Sequence, residues 1–262
     1  ILFYNYIFIY KYTIIRDKLI MSFSIVLMTL NEITGCKLII PRVDKSLFDE
    51  LICIDGGSTD GTIEYLEKEG FKVIVQNKKY NEKQIDLKQT KMSDAYMMGV
   101  NAATSDHIVM PFTPDNNMIP EKLPELIKKA KEGYDYVCVS RYKDGAKSFD
   151  DNLITAFGNW MFTNLVNVLF GGKFTDVLGG YKCVKKDLYE KLNINSETAR
   201  ISVHTQLAIG CLRNNIPYAD IPGDEPERIG GKSSVNPLIN GMSEVKTISR
   251  AFFNRSLYKI KK

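Results

Sequence analysis

The stretch Leu51-Ile-Cys-Ile-Asp-Gly-Gly-Ser-Thr-Asp-Gly-Thr62 constrains the chain more than any other. Residues 51–54 form a short apolar run with β-branched isoleucines, as in a strand buried on both faces. The run breaks at Asp55, turns through Gly56 and Gly57, and restarts at Ser58-Thr59-Asp60, where a helix can be capped. Ile63 and Leu66 give that helix an apolar face, with Glu64, Glu67, Lys68 and Glu69 outward. Open α/β sheets bind nucleotides where a strand ends in an acid and a glycine turn before a helix. A plain strand-to-helix turn has the same local pattern, so the decision rests on the rest of the chain.

Residues 23–30 read as the first strand, followed by a helix over 34–40, and residues 71–75 as a third strand. The opening is therefore β-α-β-α-β, the order of a parallel sheet. Residues 76–90 are polar and read as a mobile loop. Met92, Ala95, Tyr96, Gly99, Val100 and Ala103 then recur at helical spacing. Strands are predicted at 107–112, 136–140 and 216–221, and helices at 120–131, 186–192 and 202–214. Residues 143–151 are polar and read as disordered or as a lid. Residues 153–170 are long and largely apolar, with Asn159, Asn164 and Asn167 set into them, and Gly171-Gly172 stops them.

Composition matters mainly for what it excludes. Five cysteines lack any C-x-x-C pair and mostly sit in apolar segments, which suits reduced, buried thiols. Two histidines, His107 and His204, are too few for a His-rich metal centre. The net charge of +4 belongs to the ends: residues from Met242 onward carry six basic side chains against Glu244. The body is net acidic and shows no nucleic-acid surface. The apolar start of residues 1–20 is too short for a span and lacks a signal-peptide pattern. Met21 is the expected native start, with an interfacial anchor as the alternative.

Six motifs fall in one order: Leu27-Met-Thr-Leu-Asn-Glu32, Ile54-Asp-Gly-Gly-Ser-Thr-Asp-Gly-Thr62, Phe112-Thr-Pro-Asp115, Ser140-Arg-Tyr142, Asp176-Val-Leu-Gly-Gly-Tyr181 and Glu227-Arg-Ile-Gly-Gly-Lys-Ser233. Together, over residues 23 to about 235, they resemble family 2 glycosyltransferases with the GT-A fold, in the branch similar to dolichol-phosphate-mannose synthase. The resemblance implies an α/β, Rossmann-like and mostly parallel sheet with helices on both faces. It also implies transfer of a sugar from a nucleotide-sugar donor, UDP- or GDP-linked, with inversion at the anomeric carbon.

Glu32 and Asp55 close neighbouring strands, where carboxylates can accept hydrogen bonds from a base and a ribose; matching acids in similar proteins hold the nucleoside. Asp60 reads as a helix-capping acid. The resemblance places Lys91 and Asp94 near the donor. Asp115 is the expected ligand for Mg²⁺ or Mn²⁺, since a departing diphosphate needs its charge neutralised. Family members carry Asp-x-Asp here, but this chain has Thr113 in the first place, which weakens the expectation of a metal. Arg141, Arg228 and Lys232 match basic residues that lie against phosphates, and the Gly230-Gly231 turn would let backbone approach. Asp176 matches an acid beside the acceptor and is the candidate general base or orienting group. His204-Thr-Gln206 stands where relatives carry a second acid. That leans toward a phosphate acceptor, which is already ionised and needs only positioning.

The predicted organisation is an upstream segment at 1–20, a GT-A domain at 21–222, and a phosphate-binding loop with a basic amphipathic tail at 223–262. The expected enzyme acts on a lipid-linked or glycan acceptor, in the cytoplasm or at the inner face of the cytoplasmic membrane, as a peripheral protein. One rival is a degenerate, non-catalytic nucleotide-binding subunit, favoured by Thr113 and Gln206. A nucleotidyltransferase lacks support because no Gly-rich, Lys-containing loop follows the first strand. No G-x-G-x-x-G follows a strand, which argues against a nicotinamide dehydrogenase.

Overall fold

A computed structural model describes residues 21–76, 87–194, 202–229 and 237–260, without the side chains of 87–91. The apolar runs form strands and the periodic segments form helices. In chain order these are β1 (Phe23–Thr29), α1 (Ile33–Ile39), β2 (Glu50–Asp55), α2 (Thr62–Lys68), β3 (Lys72–Val75) and α3 (Leu87–Ala102). Then come β4 (His107–Phe112), α4 (Leu123–Lys131), β5 (Tyr136–Ser140), α5 (Leu153–Phe170), β6 (Lys182–Lys185) and α6 (Asp187–Lys191). The chain continues with α7 (Val203–Asn214), β7 (Tyr218–Pro222) and α8 (Pro237–Phe253).

The strands form one sheet in the order β3-β2-β1-β4-β6-β5-β7. All run parallel except β6, which is antiparallel to both β4 and β5. Side chains alternate between faces, so Ile25 and Leu27 of β1 join one core and Val26 the other. The first core takes Cys36, Ile39, Leu66, Leu126 and Ile127 from α1, α2 and α4. The second takes Tyr96, Val100, Leu207 and Ile248 from α3, α7 and α8. Each such aliphatic side chain, fully buried, contributes about 1.5–3 kcal/mol.

Three expectations are corrected. β6 is a strand where no strand was predicted. Its Lys182 is fully buried, with its ammonium 5.6 Å from the centre of the Tyr136 ring, so local polarity concealed a core position. Residues 143–151 are tied down rather than loose. Phe149 N donates to Glu225 O (2.8 Å), Glu225 N to Lys147 O (2.9 Å) and Lys147 N to Asp224 Oδ1 (2.8 Å). Leu87 to Thr90 open helix α3 instead of continuing the loop; the rest of the predicted loop, from residue 77, lies outside the described residues, as do residues 1–20.

The C-terminal helix is also part of the body. α8 buries Glu244, Thr247, Ile248 and Ala251, and Thr205 of α7 donates to Glu244 at 2.5 Å. Asn152 caps α5 in a reciprocal capping box with Thr155, and Gly171 ends it at φ 76°. α5 is long and apolar enough to cross a membrane by length and composition, the single such helix among the described residues. Three side chains on its inner side hold it along the body. Asn159 bonds Tyr142 and Asp151, Thr163 accepts from Val177 N, and Asn167 bonds Phe174.

Candidate functional site

The described charged motif residues gather at one end of the sheet's strands. β1, β2, β4 and β5 leave the sheet there, and reversed β6 enters it there after the Asp176–Tyr181 segment. The chain order reverses between β1 and β4, the position at which open α/β sheets leave a crevice for ligands. α1 presses directly on that crevice: a Cβ on Gly35 would lie 2.0 Å from the Pro114 carbonyl oxygen.

Asp55 is turned inward and has no exposed surface. Its Oδ1 accepts from Gly57 N (2.8 Å) and Ser58 N (2.6 Å), and its Oδ2 from Thr29 Oγ1 and Ser58 Oγ (both 2.7 Å). Asp55 therefore builds the turn, and all four of its hydrogen bonds go to Thr29, Gly57 and Ser58. Asp60 accepts from Thr62 N and from Ile33 N (both 3.1 Å), linking the starts of α2 and α1. Glu32 differs from Asp55, because its half-buried carboxylate makes no hydrogen bond among the described residues. Burial and the nearby Asp115 charge raise its pKa, with Arg228 acting in the opposite direction.

Asp115 is buried behind β4 with both oxygens engaged. Oδ1 accepts from Thr113 Oγ1 (2.9 Å) and Asn117 N (3.2 Å), while Oδ2 lies 2.7 Å from Arg228 Nη1. The two loops are stitched together by backbone as well. Ile229 N donates to Asp115 O (2.7 Å), Asn116 Nδ2 to Glu227 O (2.9 Å) and Asn117 Nδ2 to Pro226 O (3.0 Å).

Arg141 and Asp176 form a second centre. Arg141 Nε and Nη2 donate to Asp176 Oδ2 (2.7 Å) and Oδ1 (3.0 Å), and Gly179 N donates to Oδ1 (2.8 Å). Glu225 and Asp151 lie 3.4 and 3.8 Å from Arg141 Nη1. Burial acts to raise the Asp176 pKa, but the Arg141 charge and hydrogen bonds outweigh it and hold the carboxyl below its usual range. Asp176 is fully buried and ion-paired with Arg141, which fits the orienting role expected of it better than that of a free base. Arg141 faces three carboxylates, Asp176, Glu225 and Asp151.

Asp94 lies on α3, half-buried; the side chain of Lys91, and Gly230, Gly231 and Lys232, lie outside the described residues. His204 is buried in α7, edge-on to Tyr96, and burial pushes its pKa well down. The cysteines are free and buried, with burial raising Cys36, Cys53 and Cys138 to about 12. Glu225 and Asp151, which no sequence pattern singled out, flank Arg141, and Tyr142 lies against its guanidinium. Only the position of Glu225, three residues before Arg228, gave a hint.

Asp115 could offer one carboxylate to a divalent cation, and the Asn117 Oδ1 atom is buried with no hydrogen-bond partner. No group of three acids, histidines or cysteines suited to a metal occurs among the described residues. These residues fit a hard cation that draws most of its oxygens from substrate and water. The Arg228 guanidinium now occupies the cationic position at Asp115.

The sheet order, the single reversed strand and the charged strand ends define the class: this is the GT-A glycosyltransferase fold. Glucosyl-3-phosphoglycerate synthase from Mycobacterium tuberculosis, in complex with Mn²⁺ and UDP-glucose, superposes with a TM-score of 0.62 at 20% identity, covering 92% of this chain and 82% of that one. The family model described as Glycosyl transferase family 2 matches residues 24–192, and the chain belongs to that family. Glycosyltransferase AglJ of Haloferax volcanii is 25% identical over 199 residues, 74% of this chain. The alignment spans 60% of AglJ's own length. A dolichyl-phosphate hexose transferase of the same archaeon is 24% identical over 239 residues, covering 89% of this chain and 95% of that protein.

Proposed function

We propose that this protein transfers a sugar from a UDP- or GDP-linked donor to a lipid-linked phosphate acceptor, with inversion. The donor lies in the crevice between β1 and β4. The acceptor oxygen attacks the anomeric carbon as the bond to the diphosphate breaks, and Arg228 offsets charge on the leaving group. When bound, Mg²⁺ or Mn²⁺ supplies further neutralisation of the diphosphate, held by Asp115 and Asn117. The solved relative carries Mn²⁺ with UDP-glucose, which supports a divalent cation at this edge.

The observation that carries the acceptor reading is the engagement of Asp176 by Arg141 and Gly179. A sugar hydroxyl needs a base, whereas a phosphate monoester is ionised near neutral pH and needs none. The surface beside this pair supports a lipid carrier. α5 begins at the Arg141 cluster through Asn159, Tyr142 and Asp151, and exposes Leu153, Ile154, Phe157, Trp160 and Val168. Neighbouring α8 exposes Leu238, Met242 and Phe253, with exposed Lys246, Arg250, Arg255 and Lys259 on it and after it. Apolar side chains rimmed by cations suit the anionic inner face of a cytoplasmic membrane. The dolichyl-phosphate hexose transferase likeness agrees with this acceptor class.

A second reading, a nucleotide-binding subunit without catalysis, is favoured by the closed Asp115–Arg228 pair. The test is incubation with radiolabelled UDP-glucose or GDP-mannose and a polyprenyl phosphate in vesicles. Label in the organic phase with release of nucleoside diphosphate is expected. Nucleotide binding without transfer would support the second reading, and pyrophosphate release would indicate a nucleotidyltransferase.

A further inference from the structure

Arg228 brings a guanidinium to the carboxylate of Asp115. Its Nη1 lies 2.7 Å from Asp115 Oδ2, and its charge acts on Glu32 as well. Its Nε is buried and without a hydrogen-bond partner. The loop that carries it is held by three hydrogen bonds from and to residues 115–117, so the guanidinium is delivered by a built strap rather than by a wandering side chain. Thr113 donates to the other oxygen of Asp115 and adds no negative charge.

From this geometry we propose that Arg228 is an internal counter-ion that closes Asp115 to divalent cations until a nucleoside diphosphate draws it away. A guanidinium 2.7 Å from Asp115 Oδ2 repels a metal ion approaching the same carboxylate and takes up part of the negative charge the ion would use. Each cation therefore weakens the other's binding by the same factor. A diphosphate offers Arg228 more charge than Asp115 does, and it brings oxygens that a metal lacks at this site. Nucleotide and metal therefore bind with positive coupling, and metal alone binds weakly. The proposal rests on the proposed function only in taking the ligand to be a nucleoside diphosphate. Its test involves no turnover, so failure of sugar transfer would leave it standing.

The probe is Mn²⁺, followed by loss of the free-ion electron paramagnetic resonance signal. The wild type and Arg228→Gln are titrated without nucleotide, then with UDP or GDP. Arg228→Gln is expected to bind Mn²⁺ alone about tenfold or more tightly than the wild type, and nucleotide should narrow the gap. Arg228→Lys, which keeps the charge, should stay close to the wild type, and circular dichroism checks that each variant is folded. Adding Asp115→Asn to Arg228→Gln should abolish the gain. Equal affinities in wild type and Arg228→Gln would overturn the proposal. So would no measurable binding by Arg228→Gln, or a gain that survives Asp115→Asn.

Discussion

Arg141 and Asp176 meet through two parallel hydrogen bonds, at 2.7 and 3.0 Å, with Asp176 wholly removed from solvent. Breaking one side of such a pair leaves an uncompensated charge. Asp176→Asn should therefore lower stability by about 3 kcal/mol, read as a fall in urea midpoint with the slope unchanged. Replacing both partners by apolar residues, Arg141→Met with Asp176→Leu, should regain part of the loss. Unchanged stability with lost turnover would instead make Asp176 a chemical participant.

At the opposite edge of the sheet, Glu50 accepts hydrogen bonds from Ser24, Thr104 and Ser105. Burial alone would raise its pKa, but these bonds together lower it from 4.5 to about 2. A depressed carboxyl stabilises the fold above its unfolded pKa, and that stabilisation fades as pH falls through the folded value. Glu50→Gln should cost on the order of 1–2 kcal/mol at pH 7, since solvent screens a carboxylate this close to the surface. The gap from wild type should close between about pH 4.5 and pH 2, measured by urea unfolding across pH.

Gly35 has no room for a methyl group, since the Pro114 carbonyl oxygen lies 2.0 Å from where its Cβ would be. Gly35→Ala must move α1 or the segment leading to Asp115. A loss of about 1–3 kcal/mol is expected, together with weaker nucleotide binding by calorimetry. Wild-type melting and binding would show that the contact relaxes freely.

The outward side chains of α5 should bind lipid. Phe157→Glu and Trp160→Glu should each lower the fraction that sediments with phosphatidylglycerol vesicles, and added salt should weaken what remains. A wild type that stays in the supernatant at every lipid composition would remove the membrane reading.

Much of the sheet is legible in the sequence, because β1, β2, β4 and β5 are apolar runs long enough to state their burial locally. β6 was not, since Lys182 is a buried charge whose partners come from other elements. Order in residues 143–151 depends on Asp224 and Glu225, 77 residues away for the Lys147–Asp224 bond, and no local pattern encodes that. The motif acids were placed at the correct strand ends. Which of their oxygens were already occupied depended on Arg141 and Arg228 arriving from elsewhere. Asp55 is the exception: its turn through Gly57 and Ser58 is a local Asx arrangement that its own neighbours announce.

The stitch between residues 226–229 and 115–117 has a consequence for synthesis. The sheet is complete once β7 has left the ribosome, yet at that moment Asp115 still lacks its cation. The strap that sets the electrostatics of Asp115 is joined to it across 111 residues of chain, counted from Asn116 to Glu227.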